Sequence, residues 1–505
     1  MPDTPPHIVV IGAGIGGLCS ALRLAHGGAR VTVLDTHARA GGKMRTVPSG
    51  AGPVDAGPTV LTMKHVFDAL FHSVGAHMPD HVTMVRENIL ARHFWPDGTQ
   101  FDLLSDADET LAGVRDTFGA KAAGEWAKFT ARSAQLFDAF DAPMMQTAAP
   151  SLAGLTAHTL RNPSVIPAMT PHLSLARALR KQFSDPRLAQ LFARYATYVG
   201  GIPEKSPAIL SLIAHAEAQG VWHVQGGMHK LALAVAGLAK SHGATFRYNT
   251  HVHRIEMQNG RCAAVHTDQG RIPADAVVFN GDPNALATGL LGQTASRAVP
   301  AQTPRSLSAY VQSFAATATG LPLVGHNVLF ADDPATEYAP LTRGQIQTDP
   351  TLYICAQDRF GGATPQGPER FEIIMNAAPA RAPLQDEAKT CQNLMTRRLH
   401  QFGLRFTPQM DPSTLTTPQE FAAMFPASGG SLYGRSPHGM MAAFKRPTVR
   451  TPVTGLYLAG GGAHPGAGVP MAALCAQHAA AAIMHDLTLT STSPLADTHG
   501  GTSTA

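Results

Sequence analysis

Gly12-Ala13-Gly14-Ile15-Gly16-Gly17 follows the apolar run His7 to Ile11 and opens a stretch that reads as a helix to about Gly27, after which Arg30 to Leu34 reads as a second strand. Strand, tight turn, helix and strand make a parallel βαβ unit. Gly12 permits the tight turn, Gly14 lets bare backbone approach a pyrophosphate, and Gly17 allows the helix to pack closely on the strand. The exposed N–H groups and positive helix end attract phosphate charge. Asp35, at the end of the second strand, is placed to accept from ribose hydroxyls and to repel a 2′-phosphate; its alternative use is as a helix or turn cap. A glycine triplet alone is weak evidence. Strand, helix and acid in this order predict a dinucleotide-binding unit.

Outward from this unit, Ala40-Gly41-Gly42-Lys43-Met44-Arg45 is a second glycine turn carrying cations, and Asp55-Ala56-Gly57-Pro58-Thr59 follows shortly. Near the other end, Leu456-Tyr457-Leu458-Ala459 runs into Gly460-Gly461-Gly462-Ala463-His464-Pro465-Gly466-Ala467-Gly468-Val469-Pro470 and then into a helix. A strand feeding glycines and then a helix brings bare backbone against a flat ring and aims a positive helix end at it.

These motifs resemble the flavoprotein amine oxidase and phytoene desaturase superfamily. With Val221-Trp222-His223-Val224-Gln225-Gly226-Gly227-Met228 and His464-Pro465-Gly466-Ala467-Gly468, the chain looks like the bacterial carotenoid desaturases over nearly its whole length. Phe425-Pro426-Ala427-Ser428-Gly429-Gly430-Ser431-Leu432-Tyr433-Gly434-Arg435, with three glycines before the His-Pro, is more similar to hydroxyneurosporene (methoxyneurosporene) desaturases than to phytoene desaturases. The resemblance implies an α/β fold, α+β overall. Its core is a discontinuous Rossmann-like FAD-binding domain of the amine oxidase/phytoene desaturase type, with an inserted substrate domain and a helical subdomain. FAD is the implied cofactor.

The residues expected to hold FAD are Gly12, Gly14, Gly17 and Asp35 at the first unit, then Gly42, Lys43, Arg45, Gly57, Pro58 and Thr59 along the following chain. Gly460, Gly461, His464, Gly468 and Val469 are expected at the flavin end. Lys43 stands where many relatives have Arg; Lys43 or Arg45 is a candidate pyrophosphate or ribityl neighbour, set against plain surface charge. In the family, the segment corresponding to His251-Val252-His253-Arg254-Ile255 runs beside the adenosine half, so Val252 is expected to present its backbone to adenine. His464 is a candidate to relay a proton or touch the flavin, or simply to shape the turn before Pro465.

At 505 residues the chain exceeds what one core supports. Three separated α/β pieces, 1–105, 206–290 and 441–487, are expected to assemble one FAD-binding domain. Residues 106–205 read as a helical region for substrate and membrane, and 291–440 as a substrate domain. The Ser/Thr/Gly-rich tail 488–505 is expected to be disordered. The Pro-rich apolar stretch Phe140 to Leu175 is a candidate lid or membrane-dipping element, or an ordinary connection between core helices.

Charged residues are 15% of the chain and the net charge is +4, without the Lys/Arg run that a nucleic-acid partner needs. Five scattered cysteines with no C-x-x-C argue against a disulfide framework and fit a reducing compartment. His251 and His253 lack a third ligand, so no metal is expected. No apolar run reads as a spanning helix: Val453 to Ala476 is broken by glycines and prolines. A cytoplasmic protein peripherally associated with the inner membrane is expected.

The resemblance implies desaturation at C3–C4 of a 1-hydroxy or 1-methoxy acyclic carotenoid, with a quinone or other acceptor taking the electrons. Hydride loss beside a polyene leaves a charge that delocalises over many carbons, so no strongly tuned acid–base pair is required and no catalytic residue stands out. The protein's share is a long apolar tunnel. Tyr195, Tyr198, Phe183, Phe192 and Trp222 are candidates to line it, though aromatics at such spacing serve more often as core. The rival readings are a phytoene desaturase or carotene isomerase of the same family, an amine oxidase, and a prenyl-binding escort protein without redox chemistry.

Overall fold

The computed structural model describes residues 4–379 and 386–496. Among them, three distant segments meet in one five-stranded parallel sheet. Its strands run in the order Leu456–Leu458, Ala276–Phe279, His7–Ile11, Arg30–Leu34 and Thr245–Arg247. A parallel sheet covered on both faces needs strands that are apolar on both sides. Ile8, Val9, Val10, Val277, Val278 and Leu458 are accordingly fully buried. The helix Ile15–His26 packs between the sheet and the helices His229–Ser241 and Val469–Ala496.

The second, eight-stranded sheet is built around the strands Ser308–Thr319, Glu369–Ala377, Leu352–Ala356 and His326–Leu329. Side chains alternate between its faces. Phe314, Phe371, Ile373, Ile354 and Leu352 face the helix Glu387–Gln401 and form an apolar core with Cys391, Met395 and Leu399. The residues between them point the other way, toward the cofactor domain.

Strands Ile89–Phe94 and Gln100–Leu104 lie at the edge of this larger sheet, because Val328 pairs in parallel with His93. The piece expected to be cofactor domain as far as 105 therefore hands its last strands to the substrate domain. Parallel pairing across more than two hundred residues leaves no local sequence signature. Packed on this edge of the larger sheet is a helical layer, including Ala120–Phe140, Pro186–Ala193 and Leu212–Ala218, closed around Trp126, Phe129, Phe183, Phe192 and Tyr195 together with Trp95, Phe101 and Phe330.

The last helix runs Val469–Ala496, so the tail expected to be disordered from 488 is helical to Ala496. Thr488 Oγ1 donates to Met484 O at 2.8 Å, the back-bond by which a hydroxyl is satisfied inside a helix. Residues 497–505 lie outside the described residues. All five cysteines are buried and free.

One buried acid ties stability to pH. Glu337, 1% exposed in the helix Pro334–Thr342, accepts from Asn376 Nδ2 at 3.0 Å. Burial pushes its pKa up from 4.5 to about 7. The folded chain thus keeps a proton that the unfolded chain has lost between those values, and stability falls as pH rises through that window. Glu337→Gln should remove this dependence and gain about 3 kcal/mol over wild type above pH 7. Urea melts of both proteins at acid and alkaline pH would check it; parallel pH profiles would contradict it.

Candidate active site

The glycine turns converge on one side chain that the motifs do not name. Asn280, just after the strand Ala276–Phe279, donates through Nδ2 to Gly12 O at 3.1 Å. A Cβ on Gly16 would meet Asn280 Oδ1 and Gly460 N at 2.6 Å, and one on Gly460 would meet Asn280 Oδ1 at 2.5 Å. A Cβ on Gly17 would lie 2.1 Å from Gly12 O. The Cβ-free surfaces of the N-terminal and C-terminal motifs therefore touch through Asn280. No residue type at 280 would have been singled out by spacing; the only local hint is its place at the end of a buried strand, before Gly281.

Around this contact, Gly41 N donates to Ala13 O at 2.9 Å, laying the second glycine turn over the first, and Gly42 lies against Gly14. Asp35 is buried; its carboxylate accepts from Ala13 N at 2.6 Å and His37 N at 2.8 Å. It braces the turn as a cap does, and each oxygen keeps a second lone pair for a ligand hydroxyl. Thr250 N donates to Asp35 O, so Val252, two residues on, sits at the same end of the cradle.

The helix Ile15–His26 has no side-chain cap and no acid in its first turn, leaving its terminal N–H groups to an anion. Bare backbone, uncapped helix end and terminal acid fit a dinucleotide with its pyrophosphate at the glycines and a ribose at Asp35.

Further along, Gly57 is required by contact, since a Cβ there would lie 1.9 Å from Lys43 O. Lys43 is turned to Leu432 O and faces Phe425; burial lowers its pKa to about 8, with Asp282 opposing. Arg45 donates to Thr416 Oγ1 at 2.8 Å and lies over Phe421. Both cations thus hold the loop and helix of 416–432 against the cofactor turn. Asp55 accepts from Met228 N at 2.6 Å and His229 N at 3.3 Å, which explains the pairing of the Asp-Ala-Gly-Pro-Thr and Gly-Gly-Met motifs. Thr59, past Pro58, lies 2.8 Å from the Tyr353 hydroxyl.

At the C-terminal motif, Arg446 donates to Gly461 O at 2.9 Å and to the carbonyls of Tyr433 and Arg435. His464 Nε2 donates to Met144 O at 2.8 Å and Thr147 O at 2.9 Å. Burial lowers its pKa, so the neutral ring serves as a donor to the wide turn after the helix Ala120–Phe140. Gly468, with φ +119°, leads into the helix that begins at Val469.

Tyr195, Phe183 and Phe192 are core, while Tyr198, Trp222 and Tyr353 keep accessible surface. A cavity of about 200 Å³ opens beside Thr59, lined also by Asp55, His223, Cys355, Gln357 and Phe360.

The family model described as flavin containing amine oxidoreductase matches residues 15–484. The chain is similar to the hydroxyneurosporene desaturases of Cereibacter sphaeroides (53% identical, covering 96% of this chain and 99% of that protein) and Rhodobacter capsulatus (46%; 95% and 98%). It is 28% identical to a 1-hydroxycarotenoid 3,4-desaturase of a Flavobacterium species, over 93% and 97% of the two chains. Among solved structures, a putrescine oxidase variant superposes with a TM-score of 0.59 at 14% identity, over 96% of this chain and 99% of that one, a likeness of fold.

Gly17→Ala should lose most of its bound flavin, because backbone meets the new methyl. Gly124→Ala, in a helix with open space around it, should keep it. Flavin absorbance per purified chain measures both; equal flavin content in the two variants would refute the assignment.

Proposed function

Because the chain belongs to the flavin containing amine oxidoreductase family and is similar end to end to hydroxyneurosporene desaturases, we propose that it is an FAD-dependent carotenoid desaturase. It introduces the C3–C4 double bond into 1-hydroxy or 1-methoxy acyclic carotenoids such as 1-hydroxyneurosporene, in carotenoid biosynthesis. The observation that carries this reading is the 53% identity over nearly the full length, on a chain whose glycine cradle is intact.

Held by Gly12, Gly14, Gly17, Asp35 and the C-terminal glycines, FAD would supply the two-electron acceptor that desaturation needs, with a quinone or another acceptor as the partner that reoxidises it. The chain's own residues bind, orient and exclude water. Asn280 and the glycines hold the cofactor turns, and Asp35 supports the ribose end. The apolar layer around Trp126, Phe129 and Phe192 walls off solvent. The charge left beside the polyene would be spread along it, so the C3 proton can pass to a weak base or to water and no strongly tuned base is needed.

The substrate partitions into bilayers, which favours peripheral docking at the inner membrane. Among the described residues no helix is long and apolar enough to cross a membrane. The helical region offers a docking face: Leu152, Leu160 and Ile166 are 52%, 68% and 40% exposed. From Ala142 to Ser184 the chain has no Asp or Glu but carries Arg161, Arg177 and Lys181 on its surface. Exposed apolar residues in an acid-free, basic segment suit an anionic lipid surface.

Anaerobic incubation of the holoenzyme with 1-hydroxyneurosporene, phytoene and a cis-lycopene should lengthen only the first chromophore. Lengthening of phytoene instead, or a spectral change in the cis-lycopene without net oxidation, would replace this reading with a sibling activity. Replacing Leu152, Leu160 and Ile166 together by Asp should cut sedimentation with phosphatidylglycerol vesicles while flavin content stays unchanged. Undiminished vesicle binding would remove this face from consideration.

A further inference from the structure

The face of the large sheet turned toward the cofactor domain is polar, buried and incompletely paired. Ser313, Glu372, Cys355 and His326 stand in one row across four strands by cross-strand register, each 0–1% exposed. Two residues along the strand from Cys355, on the same face, is Tyr353. Its hydroxyl lies 2.8 Å from Thr59 Oγ1 and 2.6 Å from His326 Nδ1. His326 packs edge-on against Phe360, which with Thr59 and Cys355 lines the cavity described above. Its other ring nitrogen, Nε2, is buried without a hydrogen-bond partner among the described residues.

Counting protons shows what this arrangement lacks. If Thr59 donates to Tyr353 and Tyr353 to Nδ1, then Nε2 carries a hydrogen with nowhere to go. If the chain runs the other way, Nε2 is a lone pair without a donor. A hydroxyl is both donor and acceptor and satisfies either case. Burial drives the ring's pKa down to about 3, so it stays neutral and takes a neutral partner. An unpaired buried polar atom is unfavourable, and one whose ring packs on the wall of a cavity calls for a polar group on whatever enters it.

We propose that His326 Nε2 receives the terminal hydroxyl of the carotenoid, with Tyr353 and Thr59 as the positioning residues that fix its ring. This rests on the desaturase reading. In a 1-hydroxycarotenoid the oxygen-bearing carbon is two bonds from C3, so the group that binds it must lie within a side chain's length of the reacting carbons. Thr59 belongs to the segment expected to run along the cofactor, and Tyr353, whose hydroxyl is 2.8 Å from it, borders the apolar helical layer. The row on the sheet thus sets end-group preference, and the cofactor turns do not.

The test compares wild type, His326→Phe and Tyr353→Phe holoenzymes, with flavin absorbance as the check on folding. Each is given 1-hydroxyneurosporene and neurosporene, the same polyene without the oxygen. The readouts are kcat/KM and the Kd from quenching of flavin fluorescence. Wild type should prefer the hydroxylated substrate, and His326→Phe should shrink that preference by at least ~10-fold while neurosporene is handled as before. Tyr353→Phe, which removes one oxygen, should shrink it less. His326→Gln, which retains a hydrogen-bonding group, should restore part of it.

A fall of equal size for both carotenoids in His326→Phe and Tyr353→Phe would mean that the chain only ties the sheet to residue 59, and would overturn the proposal. A wild-type enzyme that converts neither carotenoid would sink the desaturase reading itself, and this inference with it.

Discussion

Everything in the cofactor domain depends on backbone meeting backbone where three distant parts of the chain cross. Gly12, Gly16, Gly17 and Gly460 come so close around Asn280 that a methyl group at any of the last three would overlap protein atoms. The Asn280 amide is small, flat and bifunctional, so it can donate to Gly12 O while its oxygen lies against Gly16 and Gly460. A larger side chain would separate the N-terminal turn from the C-terminal one, and the surface that each offers to a dinucleotide would no longer be shared. Close packing is the cause, and the open cradle is its consequence.

The larger sheet solves a different problem with the same alternation of side chains. One face is an ordinary core of Phe314, Phe371, Ile354 and Ile373 against a helix. The other buries Ser313, Glu372 and His326 with atoms left unpaired. Folding gains nothing from such atoms. Burial raises the Glu372 carboxyl well above the usual carboxylate range, with Asp55 nearby adding to the shift and Arg45 and the Gly57 backbone opposing it. On the proposal made above, a face this polar, placed against the segment that carries Thr59, serves a bound end group rather than folding.

The legible and illegible parts of the sequence divide along the same line. Gly57 and Gly17 declare themselves because a contact that excludes Cβ leaves its mark on one residue; the strand–turn–helix supplies the context for Gly17 and the Asp-Ala-Gly-Pro-Thr motif for Gly57. Asp55 and Gly227 belong to two motifs that could be read separately, and only the fold shows that the acid accepts from the backbone after the glycines. Asn280 could not be found, since its partners are main-chain atoms far away in sequence. His326 and Tyr353 sit on different strands of a mixed sheet, and their meeting follows from register. The transfer of residues 89–104 to the larger sheet escaped notice for that reason too. Lys43 or Arg45 is expected either beside the cofactor or as plain surface charge; in the structure both fasten the 416–432 stretch to the glycine turn, partners that spacing does not reveal.

His464 connects these two levels. It stands in the flavin-facing motif, yet its ring donates to Met144 and Thr147, at the start of the acid-free segment with the exposed leucines; His478, on the last helix, reaches Met145 O at 3.0 Å. Both rings are kept neutral by burial, which suits them to bond carbonyls without adding charge. The segment proposed to meet lipid is therefore anchored to the C-terminal glycine turn by two hydrogen bonds and to the last helix by a third. An amine oxidase-like scaffold supplies the cofactor domain whatever the substrate. Adapting it to a long polyene requires a lipid-side entrance and an end stop held in fixed relation to the cofactor; on the function proposed above, those roles fall to the 142–184 segment, tied down by His464 and His478, and to the polar row of the larger sheet.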